Sequence, residues 1–362
     1  MEIETRPDRA RAYEYDLPRA LIADRPAGRR DASRLLHVDR GQGRLADRWF
    51  SDLPDLIAPG DVLVVNDSRV FPARLIGERP SGARAEVLLI RPVSDQGELP
   101  TDAFDRPCPR EWVALVRPGA KLKPGRRVRV SSELTIEIVD SLADGCRGVR
   151  LHGDRDPWEL IQRHGHVPLP PYIERADEPD DRDRYQTVYA RSRGSVAAPT
   201  AGLHFTDELL DRTRASGADV VSLTLHVGIG TFRPVSAERL DRHRLHAEAY
   251  RVGAPAADRL NRARAEGRRI WAVGTTSCRV LETICDVAGR FAPGAGWTDL
   301  FIRSPHEFRG IDCLVTNFHL PRSSLLMLVA AFAGLPLTRR AYAHAIEERY
   351  RFYSYGDAMV VT

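Results

Sequence analysis

The sequence predicts an α/β fold: a mainly parallel sheet with flanking helices, plus an inserted small β-barrel domain. Three observations carry this. The 362 residues exceed what one core comfortably organises, which points to two domains. From about residue 156 onward, helical and strand patterns alternate, and such alternation builds parallel sheets with helices on both faces. Between about residues 70 and 153, short apolar runs follow one another without helices, as in a small barrel.

The first zone closes on Val62-Leu63-Val64-Val65, an unbroken apolar run that reads as a buried strand, and then on Asn66-Asp67-Ser68-Arg69. In the second zone the strand candidates are residues 85–90, 112–116, 128–130, 134–139 and 148–151, punctuated by Pro118-Gly119 and Pro124-Gly125. Residues 92–109 read as a polar loop. In the third zone, 206–216 is a helix with Thr206 as N-cap, Asp207 and Glu208 in its first turn and Gly217 as its stop. A strand at 220–227 follows, then a helix at 254–266 that opens at Pro255 and closes at Gly267. Residues 269–273, 297–302 and 313–318 read as strands, and 276–287, 325–333 and 339–350 as helices. Residues 1–69 and 154–362 thus form one discontinuous catalytic domain, with 70–153 inserted as the barrel.

Composition narrows the function classes. Hydrophobic residues make up 43% and charged residues 29%, ordinary for a globular chain and unlike a disordered one. No run approaches the roughly 20 apolar residues of a membrane span, and residues 1–6 lack the apolar core of a secretory signal. Five cysteines without a CxxC pair argue against a disulfide framework or a zinc knuckle and fit a reducing cytoplasm. The net charge of +4 permits an acidic partner without demanding one. Only Lys121 and Lys123 are lysines, and an arginine bias of this kind is poor evidence for RNA binding. The expectation is a cytoplasmic monomer.

Ligands of open α/β sheets bind beyond the carboxyl ends of strands. Four successive strand ends carry polar, small or histidine residues: Asn66 to Arg69, His226 to Phe232, Gly274 to Ser277 and Thr316 to His319. Gly274-Thr275-Thr276 opens a helix, where free N–H groups suit a phosphate or carboxylate; an ordinary N-cap is the structural alternative. The stretch Gly194 to Phe205 is rich in small residues, which let a ligand approach the backbone, and His204 sits just ahead of a helix N-cap. Gly228-Ile229-Gly230 lacks the third glycine of a dinucleotide fingerprint, and Pro234 blocks a helix there. No HExxH or cysteine-containing ligand set accompanies the histidines, so no metal is expected, and no GxSxG elbow marks a serine hydrolase.

Several segments together carry a resemblance. They include Tyr15-Asp16-Leu17-Pro18, Arg30 to Leu36, Gly60 to Val70, Pro72 to Leu75, Tyr185 to Ala190, Gly194 to Phe205, Thr224 to Phe232, His246-Ala247-Glu248, Gly274 to Thr276, Thr316 to Pro321 and Tyr353 to Met359. The chain resembles the S-adenosylmethionine:tRNA ribosyltransferase-isomerase family of queuosine synthesis over almost its whole length. A loop from Val93 to Arg110 is longer than is usual in the family. The resemblance implies transfer of the ribosyl part of S-adenosylmethionine to 7-aminomethyl-7-deazaguanine at the tRNA wobble position. The implied products are epoxyqueuosine in tRNA, adenine and methionine, with no metal or redox cofactor. It also implies an α/β domain with a β-barrel insertion.

A sulfonium acidifies the neighbouring ribose C–H, and adenine leaves more easily when protonated, so the implied reaction needs acid–base residues. His204, His319, His226 and Glu248 are the candidates, the first two foremost because each lies at a loop-to-helix entry; for each, a hydrogen-bonded structural role is the alternative. Co-substrate contacts are assigned to Ala198, Pro199, Thr200, Gly202, Phe205, Gly228, Gly230, Thr231, Phe232, Gly274, Thr275 and Thr276. Within these, Phe205 and Phe232, with Tyr353, offer an aromatic face to the sulfonium. Gly274 to Thr276 offers backbone donors to the methionyl carboxylate. Asp299, Asn317 and Asp357 are candidates for reading the guanine-like edge, and Arg34, Arg69, Arg74 and Arg279 for phosphates or the methionyl carboxylate. Asn66, Tyr185 and Gln186 complete the candidate substrate and tRNA contacts.

Three rival classes make other predictions. A tRNA-guanine exchange enzyme needs a zinc-binding cysteine cluster, which this sequence lacks. A methyltransferase yields S-adenosylhomocysteine, and a non-catalytic RNA-binding barrel yields no product.

Overall fold

Val62-Leu63-Val64-Val65 has no polar alternation, and Val62–Asn66 is a strand buried on both faces. It lies inside a nine-stranded sheet. In spatial order the strands are Gly294–Thr298, Glu248–Val252, Asp219–Leu225, Val62–Asn66, Ile270–Val273, Cys313–Asn317, Ala358–Val361, Arg34–Asp39 and Arg44–Trp49. The computed structural model describes residues 6–93, 108–228, 230, 235 and 237–362. Most of the expected polar loop 92–109 therefore lies outside the described residues.

The sheet is mixed, which corrects the expectation of a mainly parallel one. Four pairings are parallel and four antiparallel. Parallel pairing holds in the centre, where crossover helices join the strands. Beyond the centre the strands reverse: Ala358–Val361 runs antiparallel to Cys313–Asn317 though parallel to Arg34–Asp39, and Arg34–Asp39 turns through four residues, 40–43, directly into an antiparallel Arg44–Trp49. The sequence reading extended the central alternation to these edges.

Alternate side chains of the central strands feed two cores. Leu63, Val65, Trp271, Val273, Cys313 and Val315 pack with Leu209 and Leu210 of the helix Asp207–Ala215. Val62, Val64, Ile270, Ala272 and Leu314 pack on the opposite face. The helices Ala254–Ala265, Gly274–Ile284, Ser324–Ala333 and Leu335–Glu347 cover that second face. Thr206 caps the helix at 207 by accepting from Leu209 N–H at 3.1 Å, and Gly217 ends it with φ +88°. The helix expected at 339–350 begins four residues earlier, because Pro336 sits in its first turn, where a missing N–H is harmless.

Six antiparallel strands close into a barrel. Arg74–Glu78, Arg84–Pro92, Glu111–Arg117, Arg147–His152, Thr135–Ser141 and Arg127–Arg129 pair in that order, and Glu78 opposite Arg129 completes the circuit. The helix Pro157–His164 packs its Trp158, Leu160 and Ile161 into the barrel core. There Trp158 meets Phe71 and Trp112 edge-on, each at 5.5 Å between ring centroids. Among the described residues, no single helix is long and apolar enough to cross a membrane.

Candidate functional site

The carboxyl ends of Ile270–Val273 and Cys313–Asn317 open onto a cleft. Its walls are residues 198–201, the helix start at 274–276, the turn 316–320, Ser323, Leu325, Tyr353 and Ser354, with Tyr172 and Val227. Three of the four strand ends singled out in the sequence thus contribute to it. The fourth, Asn66 to Arg69, does not.

The helix Gly274–Ile284 starts without a side-chain cap, so its first N–H groups are left for the cleft. Gly274 has φ +88°, which favours glycine at this turn. Thr276 lies beside it with a buried Oγ1 that has no hydrogen-bond partner among the described residues. Uncapped N–H groups, a helix dipole and a spare hydroxyl together suit a carboxylate. On the opposite side, Tyr172 and Tyr353 rings lie 4.6 Å apart, and Tyr172 Oη is 2.5 Å from Ser354 Oγ. Tyr353 takes φ +73°, an unusual backbone for a tyrosine, within the turn that leads to Asp357.

His319 lines this cleft. Its Nε2 is 2.6 Å from Thr316 Oγ1, and Nδ1 is the remaining ring nitrogen. Its backbone is pinned on both sides, the carbonyl accepting from Tyr15 Oη and the N–H donating to Tyr342 Oη at 3.0 Å. Burial drives its pKa down to about 3, so the ring is neutral at neutral pH.

His204 is placed differently. It is buried behind the cleft, stacked on Phe50 with centroids 4.8 Å apart. Nδ1 lies 2.7 Å from Ser33 Oγ and Nε2 3.0 Å from Asn317 Nδ2, so both ring nitrogens are engaged. Burial, aided by the nearby Arg30 and Arg351 cations, lowers its pKa to about 3. His204 is not among the residues that line the cleft, and protein groups engage both its ring nitrogens.

Other candidates separate in the same way. Glu248 is buried, with one carboxylate oxygen on Arg279 and the other accepting from Gly228 N–H at 2.7 Å. Arg279 is also held by the carbonyls of Leu300 and Thr298. Their pair therefore holds the Gly228 loop. Gly230, Glu248 and Arg279 line a separate, smaller recess. His226 hangs from the sheet edge by its N–H on Ala249 O, at 2.9 Å. Thr231 and Phe232 lie outside the described residues.

Phe205 is fully buried on the far face of the sheet against Phe50 and Tyr189, away from any sulfonium in the cleft. Gly202 is small because Tyr189 packs on it: an added Cβ would lie 2.1 Å from the Tyr189 hydroxyl. Asn66 spends its amide on both backbone groups of Leu225. Gln186 clasps Val70 by accepting from its N–H at 3.0 Å and donating to its carbonyl at 2.7 Å. Asp357 accepts from Arg34 and Arg351 N–H groups. Arg34 lies over Tyr350, and Asp299 is solvent-exposed outside the cleft. Arg74 pairs with Glu86 on the barrel. Tyr185 is buried beside Tyr355, at the floor of a groove that also holds Arg69.

That groove carries a charge signal. Arg69 and Arg193 face each other in register across two parallel strands, and Arg191 lies next to them. None of the three makes an ion pair among the described residues. The same groove also holds Asp181, Arg182 and Asp183, and Arg193 lies over the Trp158 ring at 4.8 Å. Tyr172, Ser323 and Leu325 line the cleft without having been singled out, and Thr316, Phe318 and Ser354 lay in segments that were, without a role assigned to them. Tyr172 had no local signal, since only folding brings it to Tyr353.

Comparison with known proteins gives the following. A family model described as queuosine biosynthesis protein matches residues 10–361. A Syntrophomonas wolfei protein named S-adenosylmethionine:tRNA ribosyltransferase-isomerase is 50% identical over 356 residues, covering 98% of this chain and 97% of its own. A Symbiobacterium thermophilum protein of the same name is 49% identical over 352 residues, covering 96% and 98%. A crystal structure of S-adenosylmethionine tRNA ribosyltransferase from Thermotoga maritima superposes with a TM-score of 0.54 at 36% identity, covering 97% of this chain and 99% of that one.

Proposed function

The chain belongs to the queuosine biosynthesis protein family, and on that premise we propose that it is an S-adenosylmethionine:tRNA ribosyltransferase-isomerase. It moves the ribosyl part of S-adenosylmethionine onto 7-aminomethyl-7-deazaguanine at the tRNA wobble position and isomerises it. The products are epoxyqueuosine in tRNA, adenine and methionine. It works as a cytoplasmic monomer without a metal ion.

The observation that carries this reading is the cleft at the carboxyl ends of the central strands, with an anion-receiving wall facing an aromatic one. The uncapped N–H groups at 274–276 and Thr276 Oγ1 are suited to the methionyl carboxylate. Tyr172 and Tyr353 offer π faces to the sulfonium. His319, bonded through Nε2 to Thr316, keeps Nδ1 for the proton of the acidified ribose carbon, and the bound substrate must raise the basicity of the ring above that of the empty cleft for it to act as the base. His204 and Glu248 act behind it, on the loops that shape the cleft. Arg69, Arg191 and Arg193 meet tRNA phosphates.

The test is incubation with S-adenosylmethionine and tRNA bearing 7-aminomethyl-7-deazaguanine, followed by chromatography of the small molecules and of digested tRNA. Adenine, methionine and epoxyqueuosine in equal amounts are expected. S-adenosylhomocysteine instead would identify a methyltransferase and refute the reading, as would tRNA binding with no turnover.

A further inference from the structure

We propose that Asn317 reads a substrate N–H group in the cleft, and that His204 behind it is the positioning residue that keeps its carbonyl free for this task. The proposal deepens the functional reading above and rests on it.

Asn317 ends its strand at the cleft and is only 2% exposed. Its Nδ2 carries two hydrogens and shares them among three acceptors within reach: His204 Nε2 at 3.0 Å, Tyr353 O at 3.2 Å and Asp357 O at 3.3 Å. The two carbonyls can only accept, so the amide nitrogen must face them and Oδ1 must face away. Oδ1 is buried and has no donor among the described residues. An unpaired buried acceptor is rare in native proteins, and one on a cleft wall is reserved for a ligand donor.

His204 completes the arrangement. Because Nε2 accepts from Asn317, the ring proton resides on Nδ1 and is donated to Ser33 Oγ at 2.7 Å. Ser33 Oγ in turn donates to Arg30 O at 3.4 Å. A protonated ring would turn an N–H against the Asn317 amide N–H. Each neighbour therefore selects a neutral ring with its lone pair on Asn317, and His204 acts through that residue without touching substrate.

The chemistry that Oδ1 recognises is an N–H donor. The proposed substrates offer three: the methionyl α-ammonium, the adenine 6-amino group and the N–H edge of the deazaguanine. Three analogues separate these sources: a co-substrate with hydrogen for the α-amino group, one with a purine unsubstituted at C6, and a tRNA whose wobble base lacks its 2-amino group. The readout is kcat/KM for nucleobase release, as the ratio of parent to analogue. A ratio is independent of how much enzyme is folded.

With the wild-type protein, one analogue is expected to lose about 10- to 100-fold. Asn317→Ala brings that ratio close to one. His204→Leu weakens it, and His204→Gln, which offers one acceptor and one donor to the same partners, restores it. Equal ratios in the wild type and Asn317→Ala for all three analogues overturn the assignment of Asn317. A slower His204→Leu enzyme with its ratio intact overturns the positioning role. If the parent substrates give no adenine at all, the functional reading fails instead. Calorimetric titration of the wild type and Asn317→Ala with the two co-substrate analogues then still decides whether Oδ1 takes an amine.

Discussion

Lowering the pH from about 7.5 to about 5 perturbs two buried histidines in a calculable way. His204 and His319 have folded pKa values of about 3 against an ordinary value of 6.5. Below pH 6.5 the unfolded chain binds two protons that the folded chain refuses. Stability is therefore fully present above pH 6.5 and is lost as the pH falls from there toward 3. At pH 5 each ring lies about 1.5 units below its unfolded pKa, a loss of about 2 kcal/mol, and the pair together lose about 4 kcal/mol. The slope over this window is about 2.7 kcal/mol per pH unit. Asp67 and Asp357, whose carboxyls burial raises, oppose this trend, so the wild-type slope alone is not diagnostic. The double variant His204→Gln, His319→Gln is. Urea unfolding followed by tryptophan fluorescence and far-ultraviolet dichroism, at several pH values, gives both slopes. The variant should lose about 4 kcal/mol less than the wild type between pH 7.5 and 5. Parallel slopes for the two proteins would show that neither ring is held neutral, and the structural role given to His204 would fall with that.

Arg279→Met leaves Glu248 buried without its partner and should lower stability by about 3–5 kcal/mol in urea unfolding. Adding Glu248→Gln should recover much of it, and no recovery would mean that the packing of Arg279, not its charge, matters. Gly202→Ala forces a Cβ onto the Tyr189 hydroxyl and should destabilise by about 1–3 kcal/mol. Tyr189→Phe in the same chain should relieve part of this, and a neutral Gly202→Ala would refute the close approach. Arg69→Gln with Arg193→Gln should lower the salt dependence of tRNA affinity by about 0.7–0.9 in log–log slope for each phosphate lost. An unchanged slope would remove these arginines from the tRNA face.

The centre of the fold was legible because its residues state their environment locally. Val62 to Val65 is apolar on both sides because both faces are covered, and Thr206 and Gly217 bracket a helix by their own chemistry. The flanking strands were less legible. Arg44–Trp49 is largely exposed, and its place depends on pairing with Arg34–Asp39. A strand expected at 297–302 instead spans Gly294–Thr298, since cross-strand pairing with Glu248–Val252 fixes its register. The site was legible as a set of strand ends but not as a set of roles. His204 and His319 look alike in sequence, each near a helix entry, yet one lines the cleft and the other is sealed behind Asn317. Only the fold determines which side of the sheet a loop residue faces.

The position of Ala358–Val361 has a consequence for biosynthesis. This strand lies between Cys313–Asn317 and Arg34–Asp39, and the adjoining Asp357 side chain accepts from the N–H of Arg34, 323 residues away. On the ribosome, Arg34–Asp39 can pair at once with Arg44–Trp49, but its other side stays unpaired until residues 358–361 have been made. Such long-range closure is slow, and it leaves an apolar strand edge open to other chains meanwhile. Asn317 receives two of its three acceptors from Tyr353 and Asp357, so the ligand-facing amide is assembled at the same late moment. A nascent chain can close its barrel before the strand that completes the cleft has been made.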